Sequence, residues 1–119
     1  MREIQRNESV DRVREVRFDE LSPGDVLMLR TQNSEYRFEI TDPGSRTGTL
    51  KGGRITSGRE AVLGGVVDEG SDYWGDGARS GARALFFLVG PQHTQGFNRI
   101  LTSEVLSIQV RHDQDRRAA

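Results

Sequence analysis

The chain has 119 residues, of which 34% are hydrophobic and 29% are charged, with 17 basic and 18 acidic side chains. This is the length of one ordinary domain, and a formal net charge of -1 excludes a global positive field that would attract nucleic acid. The absence of cysteine excludes disulfides, thiolate nucleophiles and zinc sites built on cysteine.

The two ends of the chain are predicted to lie outside the folded domain. Residues 1–13 alternate positive and negative charges with few apolar anchors, and we expect them to form a mobile charged arm. This segment has no apolar core of the length that a secretory signal or a membrane span needs, so we expect a cytoplasmic protein without membrane contact. Residues 112–119 have nothing to bury and are expected to be a disordered tail, which leaves an all-β domain at 14–111.

The first half of this domain has the period-two pattern of β-strands. At 35–41, the apolar residues Tyr36, Phe38 and Ile40 alternate with polar side chains, which places them on one face of a strand. Turn sequences at 22-SPGD-25 and 42-DPGS-45 each contain a glycine that can take the positive φ of a type II turn. With Gly52-Gly53, these turns divide this half into strands that predict an antiparallel meander.

The second half contains three apolar runs, 61-AVLGGVV-67, 83-RALFFLV-89 and 104-EVLSIQV-110. After Arg83 the middle run is continuously apolar, as expected of a strand that is covered on both faces. No long segment has helical periodicity, while turn signals recur at short intervals. We therefore predict an all-β fold, a single small antiparallel barrel or a compact sandwich of six to eight short strands, and the pattern does not separate the two.

Three short motifs are spread over roughly residues 21–110. They are Thr-x-Asn-Ser-x-Tyr (Thr31, Asn33, Ser34, Tyr36), Gly-Gly-Arg (Gly52, Gly53, Arg54) and Thr-Ser-x-Val (Thr102, Ser103, Val105). This combination resembles a group of short bacterial all-β proteins of unassigned function. The chain departs from the group's pattern at Ile55-Thr56, where the group tends to have an aromatic residue, and at Glu104, where it tends to have proline. The resemblance implies a β fold and a bacterial source, and it implies no activity.

The acidic, glycine-rich loop 68-DEGSDYWGDG-77 contains the residues that we single out as a candidate binding site. Tyr73 and Trp74, with Arg79 just beyond the loop, form this site, because an aromatic side chain on a loop is a common anchor for a partner. The alternative is that Trp74 folds back to close a barrel end, since large aromatic residues are highly buried on average. The carboxylates between Asp68 and Asp76 suit a hard cation, but their spacing does not match an EF-hand, and a solvated connection explains them equally well.

Catalytic chemistry has little support in the sequence. The two histidines are His93, within 90-GPQHTQG-96, and His112, so a Ser-His-Asp arrangement would have to use His93. The chain has no nucleophile elbow, no zinc-binding helix motif and no phosphate-binding glycine loop. We predict no catalytic residue, no metal ligand and no cofactor.

These observations favour a non-catalytic β-domain that binds another protein or itself, because open strand edges can associate by adding a neighbouring strand. The alternative is a regulatory module that binds single-stranded nucleic acid or a small ligand at the barrel mouth, near Trp74 and Arg79. The cations available for such a ligand are Arg30, Arg37, Arg54, Arg83 and Arg99. Against a nucleic-acid surface, Glu35 and Glu39 flank Arg37 on its own strand face. An enzyme of unknown type is the third hypothesis.

Overall fold

The computed structural model describes residues 8–90 and 99–113, and these residues form an all-β fold. The strands are β1 (Glu8–Val13), β2 (Glu15–Arg17), β3 (Val26–Thr31), β4 (Glu35–Asp42), β5 (Thr47–Gly52), β6 (Ile55–Val67), β7 (Tyr73–Trp74), β8 (Gly77–Arg79), β9 (Arg83–Leu88) and β10 (Arg99–Asp113). A 3₁₀ turn at Phe18–Glu20 follows β2. In the described ranges, no helix has the length and apolar character needed to cross a bilayer. The predicted all-β class is confirmed.

The main sheet has eight strands and partly closes into a ring. The meander β3, β4, β5 and β6 continues through β9 to β10, and β10 pairs back with β3, always in antiparallel register. Strand β1 extends the sheet beyond β10 and β7 extends it beyond β6, while β2 and β8 form a separate pair. Of the two architectures that the sequence left open, the ring corresponds to the barrel.

Two long strands allow the ring to close because each changes its partner along its length. Strand β6 has 13 residues and passes from β5 to β9 near Ala61 and Val62. Strand β10 has 15 residues and passes from β9 to β3 at Glu104 and Val105. Register shifts accompany these changes, and Gly65 takes a φ of 122° within one of them, a value that favours glycine.

The core lies inside the ring and is built from the inward residues of each strand. Phe38 and Phe86 are fully buried, with ring centroids 5.3 Å apart, and Tyr36 lies 6.3 Å from Phe86. The prediction that the run at 83–89 is covered on both faces is wrong for this fold. Phe86 is buried on the inner side, but Phe87 and Val89 are 41% and 38% exposed on the outer side. The apolar run therefore has an uncovered face.

The turns follow the predicted chemistry in part. Gly24 has the expected positive φ of 94°, but in the turn after Asp42 the left-handed residue is Arg46, with a φ of 63°. The turn between β3 and β4 is organised by Thr31, whose hydroxyl accepts the backbone N–H of Ser34 at 3.0 Å and donates to its carbonyl oxygen at 2.9 Å.

The chain ends differ from their predicted boundaries. Residues 8–13, expected in a mobile arm, form β1 and pair with β10 from Glu8 to Val13. Strand β10 likewise continues to Asp113, beyond the predicted domain end. Each strand supplies hydrogen-bond partners for the backbone of the other, and the two strands are far apart in the sequence. Residues 1–7 and 114–119 lie outside the described residues, and so does His93.

Candidate functional site

The acidic loop after β6 is folded around Asp68. One oxygen of its carboxylate accepts the backbone N–H groups of Gly70 and Asp72, each at 2.9 Å. The backbone N–H of Asp68 donates to the carbonyl oxygen of Asp72 at 2.9 Å, and Ser71 takes a φ of 70° in the same turn. The loop therefore uses this carboxylate to define its own shape. Within residues 8–90 and 99–113, no three His, Asp or Glu side chains are arranged to hold a metal ion.

The structure brings two of the three predicted site residues, Trp74 and Arg79, into contact. The guanidinium carbon of Arg79 lies 5.1 Å from the ring centroid of Trp74, in the geometry of a cation–π interaction. Arg79 also lies 3.9 Å from a carboxylate oxygen of Asp68, and the partly buried Trp74 packs against the core. This arrangement matches the alternative in which Trp74 folds back onto the barrel. Both groups are already engaged within the chain.

Tyr73, the third predicted site residue, is 60% exposed and lies beside β6. Its hydroxyl donates to the carbonyl oxygen of Gly64. An added Cβ at Gly64 would lie 2.7 Å from Cε2 of Phe87, so the Phe87 ring lies beside the same glycine. Tyr73 therefore borders a surface that the sequence analysis did not identify as a site.

This surface is the outward side of β9 and its two neighbours, and we call it the outer apolar face. It consists of Val62, Leu85, Phe87, Val89 and Leu101. Phe87 pairs directly with Val62 of β6, and Leu85 pairs with Leu101 of β10, which places both pairs on one side of the sheet. Phe87 and Leu101 are 41% and 44% exposed. The sequence signal was present, because after Arg83 the outward positions of the run 83–89 are apolar as well as the inward ones.

Charged side chains of both signs border the outer apolar face. Arg99 pairs directly with Phe87 in β9, and Glu60 accepts the backbone N–H of Val89 through its carbonyl oxygen at 2.9 Å. At the other end of β9, Arg83 pairs with Glu104 of β10. The four charged residues are all exposed. Each end of the face thus has one arginine and one glutamate.

The three motifs that carry the family resemblance meet at one end of the ring. Thr31 pairs with Val105 across β3 and β10, and Tyr36 pairs with Gly52 across β4 and β5. The turns β3–β4 and β5–β6 lie at this end, because alternate turns of an antiparallel meander share an end. Residues that are distant in sequence are therefore brought together here.

A groove of about 300 Å³ lies at the opposite end, beside the β4–β5 turn, but its arginines already have partners. Arg17 lies 3.5 Å from Asp19 and 3.7 Å from Asp76, and the hydrogen bond and charge of Asp19 raise the pKa of the Arg17 guanidinium. Arg46 lies over the ring of Phe18 at 5.0 Å. These contacts hold the 3₁₀ turn against the barrel end, and they favour a structural role.

His112, the histidine within the described residues, bridges two carboxylates. Its Nδ1 lies 3.4 Å from Asp25, which is buried, and its Nε2 lies 3.2 Å from the exposed Asp11. Asp25 also accepts the backbone N–H of Ser22 at 2.9 Å. The imidazole thus links β1, β10 and the turn before β3. The arrangement joins elements that are far apart in the sequence.

No protein-family model, curated protein or solved structure matches this chain. The resemblance to the group of bacterial proteins therefore stays a prediction. Function has to be argued from the geometry of the chain itself.

Proposed function

We propose that the chain is a non-catalytic β-domain that binds a second copy of itself through the outer apolar face. The bacterial cytoplasm is the setting that we propose, and it depends on the sequence alone. The observation that carries the self-association is the cluster of apolar side chains on the outward side of β9, in a run whose pattern is typical of a strand covered on both faces.

Burial of this face in an interface would be favourable, because each Å² of apolar surface removed from water lowers the free energy by about 25 cal/mol. Scattered exposed apolar residues are normal on protein surfaces, whereas contiguous apolar patches mark interaction sites. Phe87 and Leu101 are joined into one patch by their strand pairing with Val62 and Leu85. An aromatic side chain at the centre of such a patch is a common binding anchor.

The charged border supports a second copy as the occupant. A two-fold interface places the same patch on both subunits, so the patch must complement itself. Arginine and glutamate are both present at each end of the face, and an isologous contact can therefore pair opposite charges instead of like charges.

The strand edges support self-association less well than the face does. In the described residues the main sheet ends at β1 on one side and at β7 on the other. Strand β7 has only two residues, and β1 carries the exposed charged residues Asp11 and Arg12. Short and charged edge strands are the features by which proteins avoid edge pairing.

The test is sedimentation equilibrium of the full chain over a wide concentration range. The unmodified chain should form a dimer, and Phe87→Ser should weaken the association constant by at least about tenfold. The control is Leu106→Ser, which removes an apolar side chain that is 52% exposed but lies outside the face. This variant should associate as the unmodified chain does.

Two results would contradict the proposal. One is a chain that stays monomeric at every concentration, which would leave a different protein as the partner. The other is equal weakening by Phe87→Ser and Leu106→Ser, because general loss of surface hydrophobicity would then explain the effect. Circular dichroism of each variant checks that the fold is retained.

The second candidate function is ligand binding at the barrel mouth. It is favoured by a groove at the end of the ring where the three motifs meet, away from Trp74 and Arg79. No arrangement within residues 8–90 and 99–113 favours the third hypothesis, an enzyme.

A further inference from the structure

The groove at the β5–β6 turn has a volume of about 320 Å³, at the lower end of the range for small-molecule sites. Its lining residues come from three parts of the chain and are Tyr36, Arg54, Arg99, Ile100 and Leu101. Two arginines and a tyrosine therefore line the same space as two apolar residues. Among the described residues, no Asp or Glu lines this groove.

Glycine in the turn shapes the groove. Gly53 has a φ of 55°, and an added Cβ would lie 2.6 Å from the hydroxyl oxygen of Tyr36. The phenol can therefore reach the turn only because residue 53 has no side chain. Gly52 likewise allows a close approach to β4, since an added Cβ would lie 2.2 Å from the carbonyl oxygen of Glu35. The motif Gly-Gly-Arg thus places the Tyr36 hydroxyl next to Gly53, which directly precedes Arg54.

The polar groups of the groove have no partners within the described part of the chain. Tyr36 is only 9% exposed, yet its hydroxyl makes no hydrogen bond there and is not sealed from water. The side chains of Arg54 and Arg99 form no ion pair or hydrogen bond with any described residue. Arg17 and Arg37 differ in this respect, because each lies within 4 Å of a carboxylate. Three donors therefore meet at one groove without an acceptor.

We propose that this groove binds a small organic phosphate of about the size of a nucleoside monophosphate. Guanidinium groups present several N–H donors in a planar fork that matches the oxygen atoms of a phosphate. The Tyr36 hydroxyl can donate a further hydrogen bond to the same group. Ile100 and Leu101 also line the groove and would supply apolar contacts to the organic part of the ligand. The groove shares Leu101 and the border residue Arg99 with the outer apolar face, so the variants that test it are made at Arg54 and Tyr36, which lie outside that face.

The test is isothermal titration of the full chain with adenosine 5′-monophosphate, adenosine and inorganic phosphate. Adenosine monophosphate should bind, inorganic phosphate should compete with it, and adenosine should bind at least about tenfold more weakly, because it lacks the charged group. Arg54→Ala should weaken binding of the monophosphate by about tenfold or more, and Tyr36→Phe by about threefold to tenfold. Neither residue belongs to the outer apolar face, so the dimer should persist in both variants.

The matched control is Arg12→Ala, which removes an exposed arginine of β1 that does not line the groove. It should leave the affinity for adenosine monophosphate unchanged. The proposal is overturned if millimolar monophosphate does not bind, if adenosine binds equally well, or if Arg12→Ala and Arg54→Ala weaken binding equally. It is also overturned if a short single-stranded oligonucleotide binds much more tightly than the monophosphate and with a steep salt dependence, which would indicate a nucleic-acid surface. Thermal unfolding of Tyr36→Phe identifies any loss of fold.

Discussion

Strands β4 and β9 have the same alternation of buried and exposed positions but opposite chemistry on their outer sides. The inward residues of β4 are Tyr36, Phe38 and Ile40, and those of β9 are Ala84, Phe86 and Leu88, all of them buried. The outward residues of β4 include Glu35, Arg37 and Glu39, whereas those that follow Arg83 in and just after β9 are Leu85, Phe87 and Val89. The inner faces are equivalent parts of one core. The outer face of β4 presents charged side chains to water, whereas that of β9 presents mainly apolar ones.

The comparison indicates that folding requires the apolar inner faces, whereas association depends on the chemistry of the outer faces. On β4, Arg37 lies 3.6 Å from Glu39, and their side chains are 44% and 47% exposed, so the pair contributes only about 0–1 kcal/mol. Its main effect is to keep that face in water. On β9, Phe87 has no such role in the isolated chain, and its exposed ring is stabilised only when another surface covers it. The contrast therefore locates the proposed interface on one side of the barrel.

The largest predicted effect comes from the inner side of β9. Phe86→Ala should lower the free energy of unfolding by about 3–5 kcal/mol, because it leaves a cavity beside Phe38. Phe87→Ala, one residue along the chain, should lower it by less than about 1 kcal/mol at concentrations where the protein is monomeric. Urea denaturation of both variants measures the difference. Equal losses would show that the outward ring is part of the monomer's core, and the comparison would fail.

A smaller effect is expected from Gly64, which lies beneath Phe87. In Gly64→Ala the added Cβ would lie 2.7 Å from the ring of Phe87, so this ring must shift. We expect a loss of about 1–2 kcal/mol in unfolding free energy together with weaker self-association. Thermal unfolding and sedimentation measure the two effects. The control is Gly70→Ala, whose Cβ would have its nearest contact at 3.6 Å. Unchanged association in Gly64→Ala would argue against Phe87 as the anchor.

A third experiment transfers the chemistry of β9 to β4. Replacing both Arg37 and Glu39 with leucine should change the unfolding free energy by less than about 1 kcal/mol, since both positions are outward and largely exposed. The variant should gain a second mode of association, seen by sedimentation as species larger than the dimer at high concentration. If the double variant behaves as the unmodified chain does, an apolar outer face alone is insufficient, and the charged border of β9 becomes the important feature.

The smallest effect is expected from Arg37→Ala alone. Loss of the exposed pair with Glu39 should change the unfolding free energy by less than about 0.5 kcal/mol and should leave self-association unchanged. Denaturation at low and high salt measures this contribution. A loss above 1 kcal/mol would mean that the outer face of β4 stabilises the fold, and the contrast with β9 would be weaker than proposed.

Local sequence patterns predicted the fold class well. The alternation at Tyr36, Phe38 and Ile40 predicted β4, and the glycine at position 24 predicted a turn with positive φ. Local patterns predicted less well the strands whose pairing partners are far away in the sequence. Residues 8–13 resembled an arm because their few apolar side chains gave no sign of the backbone pairing with β10.

The candidate sites were harder to predict than the strands. Loop composition indicated Tyr73, Trp74 and Arg79, but Trp74 and Arg79 contact each other within the chain, and Arg79 also lies close to Asp68. In the sequence, the three motifs that carry the family resemblance are short and lie far apart. Their meeting at one end of the ring depends on the strand order, which periodicity does not encode.

The sequence by itself determined that this chain forms antiparallel strands with a buried inner side, because the period of two acts between neighbouring residues. It also marked 83–89 as apolar on both sides. Only the tertiary structure decided that one side of this run is uncovered and that Arg54 and Arg99 line the same groove as Tyr36. The physical reason is that exposure and proximity across the barrel depend on closure of the ring, where β6 and β10 change partners, and these contacts join residues far apart in the chain.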